Sequence, residues 1–261
     1  MDLGIAGRTA VVCASSRGLG RGCAAALAQV GCRVVVNGRD AAVLERTAEE
    51  IRAATGAEVV PVAADVATPD GQAALLAAAG PGGPDILVTN NAGPPFADFR
   101  AIDRERAIKG VVGNMIVPIE LVQRVVDGMV ERRFGRIVNI TSSSVKMPLA
   151  GLDLSSGARA GLTGFLGGVA RSVAHANVTI NFLLPGPFET DRLRSGLETA
   201  AKGRGVPVEA VADERRAQNP ARRFGDPAEF GAACAFLCSA QAGYIVGQSI
   251  LIDGGAYPGI L

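Results

Sequence analysis

Runs rich in valine and isoleucine alternate with alanine-rich stretches along most of the chain, and no other feature constrains the fold as strongly. The segments TAVVCAS (9–15), RVVVN (33–37), AEVVPVAA (57–64), DILVTN (85–90), RIVNITS (136–142), VTINFLLP (178–185) and SILID (249–253) read as seven strands. Between them, 18–30, 40–55, 68–79, 103–133, 155–175 and 226–238 read as helices. Strands that are apolar throughout need cover on both faces, and strands separated by helices run parallel. The expected architecture is α/β: a doubly wound, seven-stranded parallel sheet with helices on both faces. With 48 % apolar and 20 % charged residues among 261, a large core is available and disorder is not expected. One segment breaks the alternation. Residues 186–225 are rich in charge, glycine and proline and read as irregular. At the carboxyl end of a parallel strand, such a segment is placed to act as a substrate lid; a solvated helical excursion is the alternative.

The charge balance, 26 basic against 25 acidic residues, argues against a nucleic-acid surface or an anionic membrane as partner. The opening MDLGIAG leads directly into a strand without a signal-peptide pattern. No apolar run reaches the roughly 18 residues of a spanning helix. The expectation is a cytoplasmic chain acting on a small molecule. Five cysteines (Cys13, Cys23, Cys32, Cys234 and Cys238) show no C-x-x-C spacing and are joined by one histidine, His175. They supply no metal site. The cysteines read as buried small apolar residues, and His175 as a surface or helix-end residue.

Chemistry enters at the end of the first strand, in CASSRGLGRG. Gly18 and Gly20 open the first helix, where glycine lets the backbone approach a diphosphate and the helix N-terminus supplies amides and positive dipole. Ala14 stands where the usual fingerprint has its first glycine. Such a loop belongs to a Rossmann fold, read here as one domain over 1–261. The second strand ends in VVVNGRD, with Gly38 where an NAD-binding chain carries an acid for the ribose hydroxyl. Arg39 follows, and Arg17 lies in the glycine loop. Two guanidinium groups without a carboxylate suit a 2′-phosphate, which favours NADPH over NADH. Asp40 reads as the N-cap of the next helix.

These landmarks resemble the short-chain dehydrogenase/reductases, and among them the 3-oxoacyl-ACP reductase-like members, over nearly the whole chain. The similarity is carried by SSRGLG (15–20), Asp65 and Val66, NNAG (90–93), Asn114, Ser142, PGPFET (185–190) and DGG (253–255), all in order. It implies cofactor contacts from Ser15, Ser16, Arg17, Gly18, Leu19, Gly20, Gly38, Arg39, Asp65, Val66, Asn91, Ala92, Gly93, Pro185, Gly186, Phe188 and Thr190. It also implies that Ser142 bonds the substrate oxygen and that Asn114 holds a water in a proton relay. The family's tyrosine donates the proton, and its lysine lowers the tyrosine pKa and grips the nicotinamide ribose. Thirteen residues beyond Ser142 stands Ser155, and four further on Arg159; the two tyrosines of the chain are Tyr244 and Tyr257.

A serine hydroxyl is a far weaker acid than a phenol, and an arginine stays protonated, so neither replaces its counterpart directly. Arg159 can still bind ribose hydroxyls and stabilise negative charge on a substrate oxygen. Losing a positioned general acid costs about 10² to 10⁴ in rate. Three routes stay open. Another donor acts, such as water, Lys146, Asp153 or Tyr257 from a neighbouring subunit; or the acceptor needs little acid help, as an activated carbonyl, a quinone or a conjugated enone does. In the third, the step is non-redox (a lyase, isomerase or cyclase), or the chain only binds NADPH. The favoured reading is an NADPH-dependent reductase of a carbonyl or an activated, conjugated substrate, with an atypical site. The resemblance also implies a homo-oligomer, tetramer or dimer. Its candidate faces carry Ile116, Val117, Leu121 and Val125, Gly161, Gly164, Gly167 and Gly168, and the tail AYPGIL (256–261).

Overall fold

A computed structural model describes residues 2–259. The elements run β1 (Thr9–Val12), α1 (Gly18–Gln29), β2 (Arg33–Gly38), α2 (Ala41–Thr55), β3 (Val59–Ala63), α3 (Pro69–Ala77), β4 (Ile86–Thr89) and α4 (Arg104–Val111). They continue with α5 (Val117–Glu131), β5 (Gly135–Ile140), α6 (Asp153–Val173), β6 (Val178–Pro185), α7 (Asp191–Arg204), α8 (Val208–Gln218), α9 (Pro227–Cys238) and β7 (Ser249–Ile252).

All seven strands pair in parallel, in the order β3-β2-β1-β4-β5-β6-β7. The order reverses between β1 and β4, and the loops at the carboxyl ends of the strands diverge there to leave a crevice. Side chains alternate across the sheet. Ala10, Val12, Val34 and Val36 join α1, α2 and α9 in one core. Val11, Cys13, Val35 and Leu87 join α3, α5 and α6 in the other. The inner strands β1, β2, β4, β5 and β6 are therefore buried on both faces, as continuous apolar runs require, while the edge strand β3 is only half-buried. Helices α1 and α9 meet through glycines: a Cβ on Gly22 would lie 2.3 Å from Pro227 O, and one on Gly231 would lie 2.2 Å from Gly22 O.

The structure corrects three expectations. The helix over 103–133 is interrupted: Val112–Ile116 forms a π turn between α4 and α5. Segment 186–225 is not irregular but holds α7 and α8. These close a small core of their own, Leu197, Ala201, Val211, Ala212 and Phe224, which the charged outer faces hide from a reading of composition. Val117, Leu121 and Val125, offered as an interface face, are buried against their own sheet, and Gly161 packs on Met115. Ile116 stays 37 % exposed. The proposed apolar tail ends in Ile260 and Leu261, outside the described residues.

All five cysteines are buried and unpaired with one another as disulfides, and His175 is exposed in a short turn after α6. Burial pushes the thiols of Cys13 and Cys32 up to about 12, away from reactivity. Among the described residues no helix is long and apolar enough to cross a membrane.

Candidate active site

The glycine loop is held open by its neighbours. Ala14 sits at φ 45, the left-handed region that glycine normally fills, so the missing first glycine of the fingerprint is met by a strained alanine. Asn37 Oδ1 accepts from Ala14 N at 3.3 Å, and Asn90 Nδ2 donates to Ala14 O at 3.2 Å. Ser15 is fully buried. Its hydroxyl donates to Val12 O at 2.7 Å and accepts from Asn37 N at 2.8 Å. It therefore braces the loop from beneath. Gly20 is required: a Cβ there would lie 2.4 Å from Ala14 O and 2.9 Å from Asn90 Nδ2. Gly18, at φ 55, lies beside Thr190, and Leu19 packs on the first core.

Helix α1 begins at Arg17 without a side-chain cap and with no acid in its first turn. Its first amides are thus left for an anion. Gly38 ends β2 against Ser16, whose Oγ would be 3.1 Å from a Cβ at that position. An acid at residue 38 would crowd this contact. Arg39 is exposed beside it, and Asp40 caps α2 through Val43 N at 3.1 Å. Arg17 reaches the other way, to Asp191 at 3.4 Å, tying the glycine loop to the start of α7. Asp65 is exposed after β3, and Val66 packs on the second core. A cradle of open amides, glycine at the point of closest approach and the exposed Arg39 guanidinium at the end of β2 fits a dinucleotide carrying an extra phosphate, whereas Arg17, expected to share that phosphate, is drawn away by its ion pair with Asp191.

After β4, Asn91 organises the turn. Its Nδ2 donates to Gly113 O in the π turn, and its Oδ1 accepts from Gly93 N at 3.0 Å and from Arg159 Nη2 at 3.1 Å. Ala92 is exposed, and Gly93 takes φ 64. The π turn holds Asn114 inward: Nδ2 donates to Gly110 O at 2.9 Å, while the buried Oδ1 has no partner among the described residues. A buried acceptor left open marks a place for water or ligand, and π turns recur at functional sites.

At the end of β6, Pro185 leads into Gly186, where a Cβ would lie 2.7 Å from Asp253 Cβ. The Phe188 ring is buried edge-on against Phe230, centroids 5.3 Å apart, so only the backbone of Phe188 is available to a ligand. Thr190 caps α7 through Leu193 N at 3.3 Å.

Ser142, Ser155 and Arg159 are the residues expected at the centre. Ser142 Oγ accepts from Ser144 N at 3.1 Å and from Ser144 Oγ at 2.9 Å. Ser155 Oγ accepts from Arg159 Nε at 3.2 Å. Both hydroxyls therefore accept from the protein, with their own protons uncommitted among the described residues. Arg159, 8 % exposed, also donates from Nη1 to Ile140 O at 2.6 Å, which fixes α6 to the end of β5. Among the described residues no carboxylate pairs with it. Burial first, and Arg192 second, push its pKa down to about 10. It remains a cation at neutral pH.

Among the other candidate donors, Asp153 is exposed at the first residue of α6. Lys146 lies 6.0 Å from the ring centroid of Tyr257 of the same chain. Arg192 is the residue that reading the sequence missed. From the first turn of α7 it donates to Gly93 O at 3.4 Å and Pro94 O at 3.0 Å. Its place directly after PGPFETD, a landmark of the resemblance, was the signal available.

The comparisons with known proteins agree with this geometry. The family model described as enoyl-(acyl carrier protein) reductase matches residues 13–257. The chain is 34 % identical to the 3-oxoacyl-[acyl-carrier-protein] reductase FabG of Vibrio cholerae, covering 98 % of this chain and 99 % of that protein. It is 29 % identical to the NADPH-dependent reductase BacG of Bacillus subtilis, covering 97 % and 99 %. Among solved structures, L-sorbose reductase from Gluconobacter frateurii, complexed with NADPH and L-sorbose, superposes with a TM-score of 0.94 at 28 % identity, both chains being covered in full (100 %).

Proposed function

Since the chain belongs to the short-chain dehydrogenase/reductase family, we propose that it is an NADPH-dependent reductase of activated, conjugated acceptors, with Ser155 and Arg159 in place of the family's tyrosine and lysine. The observation that carries this reading is the state of the two serines. Ser142 and Ser155 each accept hydrogen bonds from the protein and keep a proton to donate, and Arg159 polarises Ser155. Such a pair makes an oxyanion site without a strong acid.

That distinction selects the substrate class. Reduction of a simple ketone produces an alkoxide, which needs a proton at once. Reduction of a conjugated enone produces an enolate, which needs only stabilisation. Bound NADPH supplies a hydride, two electrons and a proton, to the β-carbon of the acceptor. The electrons of the carbon–carbon double bond move toward the carbonyl, whose oxygen becomes negative between Ser142 and Ser155. A proton from water then adds at the α-carbon. Asn114 Oδ1, buried and unpartnered, is assigned the water that supplies it.

We assign the amides of α1 to the diphosphate, Arg39 to the 2′-phosphate, Thr190 and the backbone of 185–188 to the carboxamide, and Arg159 to the nicotinamide ribose. Segment 186–225, with α7 and α8, is assigned the lid, latched to the glycine loop through Arg17 and Asp191. The exposed side chains Ile108, Ile116 and Phe165 support a homo-oligomer.

NADPH oxidation by the purified protein, followed with product formation across ketones, quinones and enones and with NADH as control, tests the proposal. Enones reduced faster than unactivated ketones support it. Simple ketones reduced as fast as enones would refute the assignment of the substrate class.

A further inference from the structure

We propose that Arg159 and Arg192 together bind a carboxylate on the acceptor, so that the substrate is an acidic conjugated compound; this rests on the reductase reading above. The two side chains come from separate parts of the chain, α6 and the first turn of α7. A Cβ built on Gly93 would lie 3.2 Å and 3.3 Å from Arg192 Nη1 and Nη2, and 3.5 Å from Arg159 Nη2. Two guanidinium groups thus crowd a single glycine. Their protein partners are neutral: Ser155, Ile140 O and Asn91 for Arg159, and the carbonyls of Gly93 and Pro94 for Arg192.

Two cations this close repel, and burial of one adds to the cost. The depressed pKa of Arg159 reflects both effects. An anion placed between them reverses the sign of each, and the planar forks suit a carboxylate's two oxygens. The charges of the cofactor are already met elsewhere. The uncapped N-terminus of α1 would take the diphosphate, and Arg39 stands exposed at the end of β2 for the 2′-phosphate. The surplus positive charge lies instead beside Ser155, where the acceptor's oxygen is held. An oxo-acid whose carbonyl is conjugated to its double bond meets both requirements at once.

The test compares trans-benzoylacrylate with its methyl ester as acceptors for the wild-type protein, Arg192→Ala and Arg192→Lys. Calorimetry of the saturated analogues, benzoylpropionate and its methyl ester, on the protein–NADP+ complex runs in parallel. The wild-type protein is expected to favour the acid in kcat/KM. Arg192→Ala is expected to shrink the acid-to-ester ratio by about 10- to 100-fold, the range for one lost charge-assisted hydrogen bond, and Arg192→Lys to retain part of it. Equal kcat/KM for acid and ester overturns the proposal. So does an Arg192→Ala protein that binds NADPH more weakly with the ratio unaltered, since the pair then serves the cofactor's diphosphate. Calorimetry separates this inference from the reductase reading. If no acceptor is reduced but benzoylpropionate binds more tightly than its ester, the reductase reading fails and the anion site stands. If acid and ester bind alike, or neither binds, the anion site falls.

Discussion

Arg159 Nε lies 3.2 Å from Ser155 Oγ, one turn back along α6, and the bond runs from the cation to the hydroxyl oxygen. Four-residue spacing places the two on one helix face. The serine cannot pass its proton on as a phenol would, but a hydroxyl that accepts from a guanidinium is a better donor to an oxyanion than one in water. Ser155→Ala removes that donor. It is expected to lower kcat for a conjugated acceptor by about 10²-fold, the cost of one oxyanion-site hydrogen bond. The loss should fall on kcat and not on NADPH affinity, which fluorescence titration of the same protein measures. A loss confined to KM would remove Ser155 from the reacting centre.

The end of β2 sets the nucleotide preference. Arg39 is exposed, has no carboxylate partner among the described residues, and follows a glycine that leaves no acid to compete. Arg39→Ala should weaken NADPH binding by about 10- to 100-fold through the loss of charge-assisted bonds to the 2′-phosphate, with the NADH affinity little altered. Titration with both nucleotides checks it. Equal losses for the two would place Arg39 outside the phosphate site.

Much of this was legible in the chain because strand and helix signals here are local. A run such as RVVVN has no polar residue between its ends to turn toward water, so its place inside a doubly covered sheet follows from local composition. The glycines at 18 and 20, the carboxylate missing at 38 and the Ser155–Arg159 spacing are likewise local. What escaped depends on tertiary placement. Leu197, Val211 and Phe224 form a small core only because α7 and α8 fold back on each other. The π turn at Asn114 depends on packing between α4, α5 and α6. Arg192 meets Arg159 because β4 and β6 deliver residues 93 and 192 to the same crevice, almost a hundred positions apart in sequence.

The strained alanine of the glycine loop weighs two effects against each other. Ala14→Gly relieves a left-handed φ of 45, worth about 1–2 kcal/mol for a residue with a Cβ. It also frees the unfolded chain, which costs about 0.4–1 kcal/mol. The net expectation is a gain of about 0.5 kcal/mol, read in denaturant unfolding, with nucleotide binding kept. Gly20→Ala has no such balance, because its Cβ would lie 2.4 Å from a backbone oxygen. The loop has to shift, and nucleotide binding should fall by more than about tenfold, as for any misplacement of a preorganised site. If Gly20→Ala binds NADPH normally, the loop is not the diphosphate cradle.

The pH dependence of the reaction discriminates between this site and a tyrosine-based one. Burial first and Arg192 second disfavour the cationic form of Arg159, whose pKa falls to about 10. In the unfolded chain the same group holds its proton to above about 12. Between those values the unfolded state binds more protons than the native state, so this group makes stability rise with pH across that window. Catalysis responds with the opposite sign, because the oxyanion site needs the guanidinium charged. With a neutral acceptor such as methyl benzoylacrylate, kcat/KM should be level from about pH 7 to 9 and fall above about 10, tenfold per pH unit. Removing the neighbouring cation in Arg192→Ala lifts the Arg159 pKa and carries the falling limb to higher pH. A limb that begins near neutrality would point to a different titrating group, and one that stays in place in Arg192→Ala would separate the two arginines electrostatically.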